Sequence, residues 1–334
     1  MTYESTLTEQ ETPAASRRGS FLRSFLRKKA GMLGLFMLLS TILVAVFAPW
    51  IAPTDPYESV RATTEDVMAP PSLQHPLGKD DIGRDVLSLT IYGARISLLV
   101  GFAASVIIVL LGCAVGLTAG FIGGRTDLIL MRITDAILVI PSLPLMLIVI
   151  AVAGRSLSNI ILVIGLLSWT YMARVVRAQV LSVKERQFVL RARALGLTAF
   201  GIVFIHVLPQ VLPIIFAEVT LDVSFAILSE ASLSFLGLGD PTLISWGSML
   251  NRAFMRGAVT KGAWWYLIPP GFALAWVTLG LTLLSNAVQE IINPRLQTHH
   301  LFDERKIVSL RSLLSRASRP AVETSAQEGI GGGS

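Results

Sequence analysis

The sequence is poor in charge and in cysteine, and both deficits limit what the protein can be. Asp, Glu, Lys and Arg make up 15% of its 334 residues, against about 25% in a typical soluble domain. The single cysteine, Cys113, excludes a disulfide within the chain, and the four histidines are too scattered to suggest a zinc site. The low charge argues against a soluble globular protein, and neither disulfides nor a structural metal are expected to hold the fold.

Catalytic and nucleotide-binding motifs are also missing from the sequence. There is no Gly-x4-Gly-Lys-Ser/Thr loop, because Gly78-Lys79-Asp80 lacks both the first glycine and the hydroxyl of that motif. No Ser/His/Asp or metal-ligand grouping is apparent either. We therefore expect no enzymatic activity from this chain alone, and no cofactor bound to it.

What the sequence has instead is long tracts without a charged side chain. Five of them reach or approach the roughly 20 residues that a helix needs to cross a membrane, and a sixth apolar tract contains three acids. The six predicted spans cover residues 30–54, 96–124, 136–154, 156–173, 211–236 and 262–289. Arg155 alone separates the third span from the fourth, which predicts a tight helical hairpin. Two glycines and two prolines disfavour a helix over 194–217, so residues 174–210 are interpreted as a loop.

The lysines and arginines are unevenly divided among the segments between these spans. With the N-terminus inside, 20 of the 28 fall on the inner side, as expected of cytoplasmic loops. The predicted fold is an all-α integral membrane protein with six transmembrane helices and both termini in the cytoplasm. The predicted parts are a basic tail at 1–29, a first helix at 30–54, an extracytoplasmic loop at 55–95, a five-helix core at 96–290 and a largely disordered tail at 291–334.

Small residues and prolines add expectations about the helices. Gly112, Gly116 and Gly120 are spaced by four residues on one helix face, which favours close packing of another helix. Pro141 and Pro144 predict a break or kink in the third span.

Three acids lie within the fifth predicted span. Glu218 and Asp222 are four residues apart and share a helix face, and Glu230 follows eight residues later on nearly the same side. A charged group at membrane depth is costly unless it faces water or a partner. This face should therefore point to a pore or to a neighbouring subunit, and the residues alone leave open whether the acids line a pathway, pair with another subunit or make structural hydrogen bonds.

The segment 174–210 is the most basic of the inner segments between spans. Part of it can form a short amphipathic helix with Phe188, Leu190 and Leu195 toward one side and Gly196 ending it. Such a helix could rest on anionic lipid headgroups or dock on a cytoplasmic partner. Periodicity does not choose between these two interpretations.

The same segment resembles the EAA loop of ABC importer permeases. The similarity runs over residues 186–196 (RQFVLRARALG) and continues in HVLP at 206–209. Leu190 stands where the family's loop has the acid of its name, and Arg191 stands where a second alanine is usual. In that family the loop carries a coupling helix that sits in a groove of the ATPase subunit and transmits its closure to the membrane helices.

Further stretches resemble the C-type permease subunit of dipeptide and oligopeptide ABC importers. They are HPLGKDDIGRDVLS at 75–88, EASLSFLGLG at 230–239, SWGSML at 245–250 and NPRL at 293–296, which has Asn where an acid is usual. The resemblance extends from about residue 22 to residue 296, with these motifs in the family's order.

The resemblance implies a type I ABC importer permease fold in the inner membrane of a bacterium. It implies import of dipeptides or oligopeptides with a homologous second permease, two ATP-binding subunits that hold ATP and Mg, and an extracytoplasmic peptide-binding protein. Membrane lipid is an expected contact and nucleic acid is not. The site residues implied are Phe188, Val189, Arg191, Ala192, Arg193, Ala194, Leu195 and Gly196 for the coupling helix, and Glu218, Asp222 and Glu230 as translocation-pathway candidates.

Two alternatives remain open at this point. One is a self-contained secondary carrier that uses the three acids as proton or ion sites. The other is the same ABC architecture importing nickel or glutathione. The acidic outer loop is likewise open to two interpretations, a solvated connector or a contact for the binding protein.

Overall fold

The computed structural model describes residues 23–58 and 66–292, and the regular secondary structure of these residues is helical apart from one isolated bridge between Lys79 and Asp85. The helices are α1 (Lys29–Val46), α2 (Ala48–Ile51), α3 (Val86–Ile122), α4 (Gly124–Val139), α5 (Ser142–Ala153), α6 (Leu157–Lys184), α7 (Gln187–Ala194), α8 (Ala199–Gly201), α9 (Leu208–Phe235), α10 (Trp246–Met255) and α11 (Trp264–Ile292). A π-helical segment, Ile202–Val207, joins α8 to α9. Most of both predicted tails, at 1–22 and 293–334, and residues 59–65 of the outer loop lie outside the described residues.

Five helical runs are long and apolar enough to cross a membrane, namely α1, α3, α6, the run from α8 through α9, and α11. Helices α4 and α5 pass the same test as a pair, but they are bent by 86° at the break between them. Counting the bent pair as one span gives six, the predicted number. Pro141 lies at this break, as predicted, because proline cannot continue the hydrogen bonding of α4.

Several helices have bounds that differ from the predicted spans; α4, for example, begins at Gly124, twelve residues before the predicted third span. Helix α1 ends at Val46 instead of reaching residue 54, because Pro49 in the first turn of α2 cannot donate to a continuing helix. Helix α3 begins at Val86, ten residues before the predicted span. Its start is fixed by Asp85, whose carboxylate accepts a hydrogen bond from the Ser88 backbone N–H at 2.8 Å.

The segment 174–210, interpreted from the sequence as a loop, is mostly helical. Helix α6 continues to Lys184, α7 follows after two residues, and the run that contains the fifth span starts at Ala199. Pro209 does not interrupt that run because it lies in the first turn of α9, directly after the π-helical segment. The wider π turn removes the clash that a proline ring makes with the preceding turn of a regular α-helix.

Helices α3 and α9 are central to the packing. Each contributes buried residues to all three of the large hydrophobic clusters. The glycine face of α3 packs against α6 as predicted, since a Cβ added at Gly116 would lie 2.6 Å from the carbonyl oxygen of Ala173. The hairpin between α5 and α6 is also confirmed, with Gly154 at a φ of +97° and the Ser156 side chain capping α6.

The outer segment before α3, residues 66–85, is a compact structure and not a solvated acidic loop. Asp80 is fully buried, accepts hydrogen bonds from the backbone of Ile82 and Arg84, and pairs with the Arg84 guanidinium at 2.7 Å. Asp85 is also buried, and one of its oxygens lies 3.1 Å from His75 Nδ1. These acids are used to fold the segment, which fixes the position of the start of α3.

Candidate functional site

Two of the three predicted pathway acids lie together in a cleft. Glu218 and Asp222 of α9 line a cavity of ≈ 320 Å³ that also borders α6 and the bend between α4 and α5. The bend contributes Leu138 on one side of the break and Ser142 on the other. Both acids lie near the middle of the 37-residue helical run that contains α9, far from either end of the span. We call this cavity the acidic cleft.

Three buried polar atoms of the acidic cleft have no hydrogen-bond partner among the described residues. Among the described residues, the buried side-chain oxygens without a hydrogen bond are Ser168 Oγ, Glu218 Oε2 and Asp222 Oδ2, and all three residues line this cleft. Glu218 is 7% exposed and Asp222 is 9% exposed, and the described residues offer no ion pair to either. Because a buried carboxylate without a partner is costly, these oxygens are available to water, a ligand or a neighbouring subunit.

The rest of the acidic cleft is apolar and aromatic. Leu167, Leu221 and Phe225 form walls, and the Tyr171 ring lies at the rim with more than half of its surface exposed. A few convergent polar atoms in an apolar cavity are typical of small-molecule sites. The cleft can therefore hold a ligand that combines positive charge or hydrogen-bond donors with apolar groups.

Glu230 does not belong to the acidic cleft. It is 2% exposed and accepts a hydrogen bond of 2.6 Å from the Ser234 hydroxyl, and Ser97 of α3 lies on its other side. Ser97 in turn accepts from the backbone N–H of Trp246 at the start of α10. Eight residues rotate a helix by about 80° beyond two full turns, which separates Glu230 from the face that carries the other two acids.

The predicted coupling helix forms as α7 and is held against the membrane helices by two small side chains. Val189 and Ala192 are buried, in one hydrophobic cluster with Val180 and Val183 of α6 and Ile202 of the π-helical segment. These two residues were predicted as part of the helix, but not as its inward side.

The rest of the α7 surface and the residue that follows it are exposed and partly apolar. Leu195 is 81% exposed, and Phe188 and Leu190 are also accessible beside the exposed Arg191. Gly196 follows with a φ of +81°, and the backbone N–H groups of residues 196 and 197 donate to the carbonyls of residues 193 and 192. This Schellman motif ends the helix at the predicted glycine.

Polar contacts connect the α7 region to the neighbouring helices. Lys184 donates to the carbonyl of Gly120 at 3.0 Å, and the Arg193 guanidinium lies 5.8 Å from the centre of the Phe121 ring, so the last turn of α3 contacts the end of α6 and the last turn of α7. Two ion pairs join α6 to α4: Arg177 binds Asp127 through two hydrogen bonds, and Arg174 binds Asp135.

Several residues of the acidic cleft are not identified from the sequence. Ser168 and Tyr171 lie on α6, about 50 residues before the acids, and carry no charge. The available signal is the run Ser168-Trp169-Thr170-Tyr171, which places polar and aromatic groups in an otherwise apolar span.

Sequence comparison identifies two matching family models. The model described as "Binding-protein-dependent transport system inner membrane component" matches residues 112–298. The model described as "N-terminal TM domain of oligopeptide transport permease C" matches residues 16–75. Together the matches cover most of the described chain.

Individual relatives are similar over nearly their whole length. The dipeptide transport system permease protein DppC of Bacillus subtilis (strain 168) is 36% identical over 85% of this chain and 88% of its own. The oligopeptide transport system permease protein OppC of the same organism is 37% identical over 82% of this chain and 88% of its own. The di/tripeptide transport system permease protein DppC of Pseudomonas aeruginosa (strain UCBPP-PA14) is 36% identical over 83% of this chain and 92% of its own.

Proposed function

The chain belongs to the binding-protein-dependent transport system inner membrane component family, and from this premise we propose how its parts act in transport. It is a multi-pass protein of the bacterial inner membrane and a permease subunit of an ATP-driven importer that translocates dipeptides or oligopeptides. The observation that carries this function is the 36–37% identity to three peptide permeases over 82–85% of the chain.

As a permease of such an importer, the chain works with a partner permease, ATP-binding subunits and a binding protein. We propose one homologous second permease, two ATP-binding subunits that hold ATP and Mg, and an extracytoplasmic protein that delivers the peptide. The lack of a phosphate-binding Gly-x4-Gly-Lys-Ser/Thr loop supports placing ATP hydrolysis in the partner subunits. The excess of basic residues in the inner segments supports a cytoplasmic position for both termini.

We assign contact with an ATP-binding subunit to the exposed side of α7. Leu195, Phe188 and Leu190 give this short helix an apolar surface next to exposed arginines. The buried Val189 and Ala192 fix the other side of α7 against α6 and the π-helical segment. A displacement of α7 would therefore move α6, which lines the acidic cleft directly. It would also move the π-helical segment, which leads into α9 on the other side of the cleft.

We assign part of the translocation pathway to the acidic cleft. Each of its two carboxylates has a buried oxygen without a partner among the described residues, and both lie at mid-span, where a charged group is costly unless it faces water, a ligand or a neighbouring subunit. Glu230 is not assigned to the pathway, because its buried carboxylate is enclosed by Ser234 of α9, Ser97 of α3 and Ser245 at the start of α10.

Reconstitution tests the function as a whole. The chain is purified with the products of neighbouring genes, placed in proteoliposomes, and supplied with peptide-loaded binding protein. We expect peptide uptake that requires ATP inside the vesicles and every partner subunit. Uptake by this chain alone under a proton gradient, without ATP, would contradict the assignment.

A further inference from the structure

The acidic cleft offers negative and neutral oxygen atoms and no positive group. Glu218 and Asp222 each contribute a carboxylate, and Ser168 contributes a hydroxyl from the opposite helix. The buried oxygens of all three lack a hydrogen bond within the described chain. Such a set of acceptors is complementary to a cation with several N–H donors.

A bound metal ion is a poorer fit than an organic cation. Hard metal ions take six or more oxygen ligands, and transition metals favour histidine or cysteine. Within the described residues, no group of three or more His, Cys, Asp or Glu side chains is placed to hold a metal. The leucines and aromatic rings that form most of the cleft also provide no ligands for an ion, but they can pack against carbon.

The cleft dimensions suit one end of a peptide. Its volume of ≈ 320 Å³ lies at the lower limit of cavities that hold small ligands, roughly 300–1,000 Å³. This is too small to enclose a long peptide but suits a terminal amine and the residue that carries it. The α-amino group has a pKa of about 8 in peptides, so it is mostly protonated near neutral pH.

We propose that the acidic cleft binds the N-terminal ammonium group of the peptide during translocation, with Glu218 and Asp222 as charged acceptors and Ser168 as a neutral one. The proposal rests on the function assigned above. Apolar side chains of the cleft, such as Leu221 and Phe225, contact the first side chain of the peptide without selecting among apolar residues.

The first test compares two peptides that differ only in this group. The complete importer is reconstituted with saturating binding protein that has been loaded with trialanine or N-acetyl-trialanine, and loading is measured separately. Initial uptake rates are then compared for the wild type, Glu218→Gln, Asp222→Asn and the double variant. Glu290→Gln is the matched control, because Glu290 lies at the far end of α11 and pairs with Lys28.

We expect the wild type to import trialanine faster than the acetylated peptide after equal loading. In the double variant this preference should fall about tenfold or more, since charge-assisted hydrogen bonds are lost, and uptake of trialanine should fall much more than uptake of the acetylated peptide. Glu290→Gln should keep the wild-type preference. An unchanged preference in the double variant, or an equal fall for both peptides, would overturn the proposal.

A second measurement uses the unmutated importer, so it does not depend on folding of a variant. Dicyclohexylcarbodiimide modifies membrane carboxyl groups, and mass spectrometry locates the modified residue. Trialanine should protect Glu218 and Asp222 from modification, and N-acetyl-trialanine should not. Equal protection by the two peptides would overturn the proposal. Loss of the second permease from the purified double variant would also overturn it, because it would identify the acids as subunit contacts. Failure of the wild type to take up any peptide with ATP would instead contradict the proposed function.

Discussion

Buried carboxylates have opposite surroundings in two parts of this chain. Asp80 is enclosed by its own loop, with two backbone N–H groups and a guanidinium as partners. Glu218 and Asp222 are buried nearly as deeply, yet each has an oxygen to which the described part of the chain offers no partner. The first arrangement stabilises local structure, whereas the second leaves capacity for a ligand.

Replacing Asp80 with alanine should therefore disrupt the outer segment. The change leaves the Arg84 guanidinium and two backbone N–H groups without their acceptor, and removing one partner of a buried ion pair costs about 3–5 kcal/mol. We expect a clear fall in the melting temperature of the detergent-purified protein. Asp55→Asn, at an exposed position before the segment, serves as the control. A melting temperature equal to that of the control would show that the buried pair does not hold the segment.

Asp240 should give the protein a component of stability that depends on pH. Hydrogen bonds from Thr242, and a weaker one from the Leu157 backbone at the start of α6, hold the pKa of this carboxyl below its ordinary value. Because this pKa is lower in the folded state, ionised Asp240 stabilises the fold at pH values above its unfolded pKa of about 3.9. This stabilisation is lost as the pH falls through the folded-state pKa. Asp240→Asn should therefore lower the melting temperature at pH 7, and the difference from the wild type should shrink near pH 3. An equal difference at both pH values would contradict this role.

At the scale of helices, the sequence predicts contacts that depend on spacing better than it predicts where helices end. Gly112, Gly116 and Gly120 are found against α6 because regular spacing on one helix always gives one face. The start of α3 was misplaced by ten residues because it is set by the cap at Asp85, which a search for uncharged tracts passes over. The short helix before Gly196 was predicted and is present as α7, but the helical course of 199–210 was missed, because a count of prolines does not reveal the π-helical segment that precedes Pro209.

The glycine contact between α3 and α6 gives a matched pair of substitutions. Gly116→Ala adds a methyl group that would lie 2.6 Å from the backbone oxygen of Ala173, and overpacking of this kind costs about 1–3 kcal/mol. Gly271→Ala adds the same methyl to α11 where nothing lies within 4 Å, so its effect should be neutral or stabilising. Thermal unfolding of the two purified variants checks this prediction. Equal melting temperatures would show that α6 can move away from α3 at little cost.

The exposed side of α7 should matter for assembly and not for the stability of the chain. Leu195→Glu changes a side chain that is 81% exposed, so the melting temperature of the isolated chain should not change. Co-purification with the ATP-binding subunits, and ATP-dependent uptake, should both fall at least about tenfold, because a charge would enter an apolar contact. Leu73→Glu places the same charge on a fully exposed leucine of the outer segment and should assemble normally. Normal assembly of the Leu195 variant would locate the docking surface elsewhere.

At the scale of the whole molecule, the fold follows from composition, but the acidic cleft does not. Six apolar tracts are enough to predict six spans, because each must satisfy the same length requirement. The cleft combines α9 with α6 and with the bend after Leu138, and such a combination depends on which helices pack together. Glu218 and Asp222 could be predicted because a charge in an apolar span is conspicuous, whereas Ser168 could not.

Motion of α7 has to reach the acidic cleft through helices that move together, and the ion pairs between α4 and α6 are suited to that role. Asp127 and Arg177 make two hydrogen bonds across this contact, and Asp135 and Arg174 repeat it two turns further along α4. Both helices continue toward the cleft, α6 through Tyr171 and Ser168, and α4 through Leu138. The ion pairs therefore connect α4, which ends at the bend beside the cleft, to α6, the helix against which α7 packs.

Separating α4 from α6 should therefore uncouple ATP hydrolysis from transport. Asp127→Arg places two positive charges together, and we expect the reconstituted importer to hydrolyse ATP while peptide uptake falls by about tenfold or more. The double variant with Asp127→Arg and Arg177→Asp restores opposite charges in reversed order and should recover much of the uptake. This recovery distinguishes coupling through the pair from loss of the aspartate itself. If uptake and hydrolysis fell in parallel in Asp127→Arg and the reversed pair rescued neither, α4 and α6 would not transmit the motion through this contact.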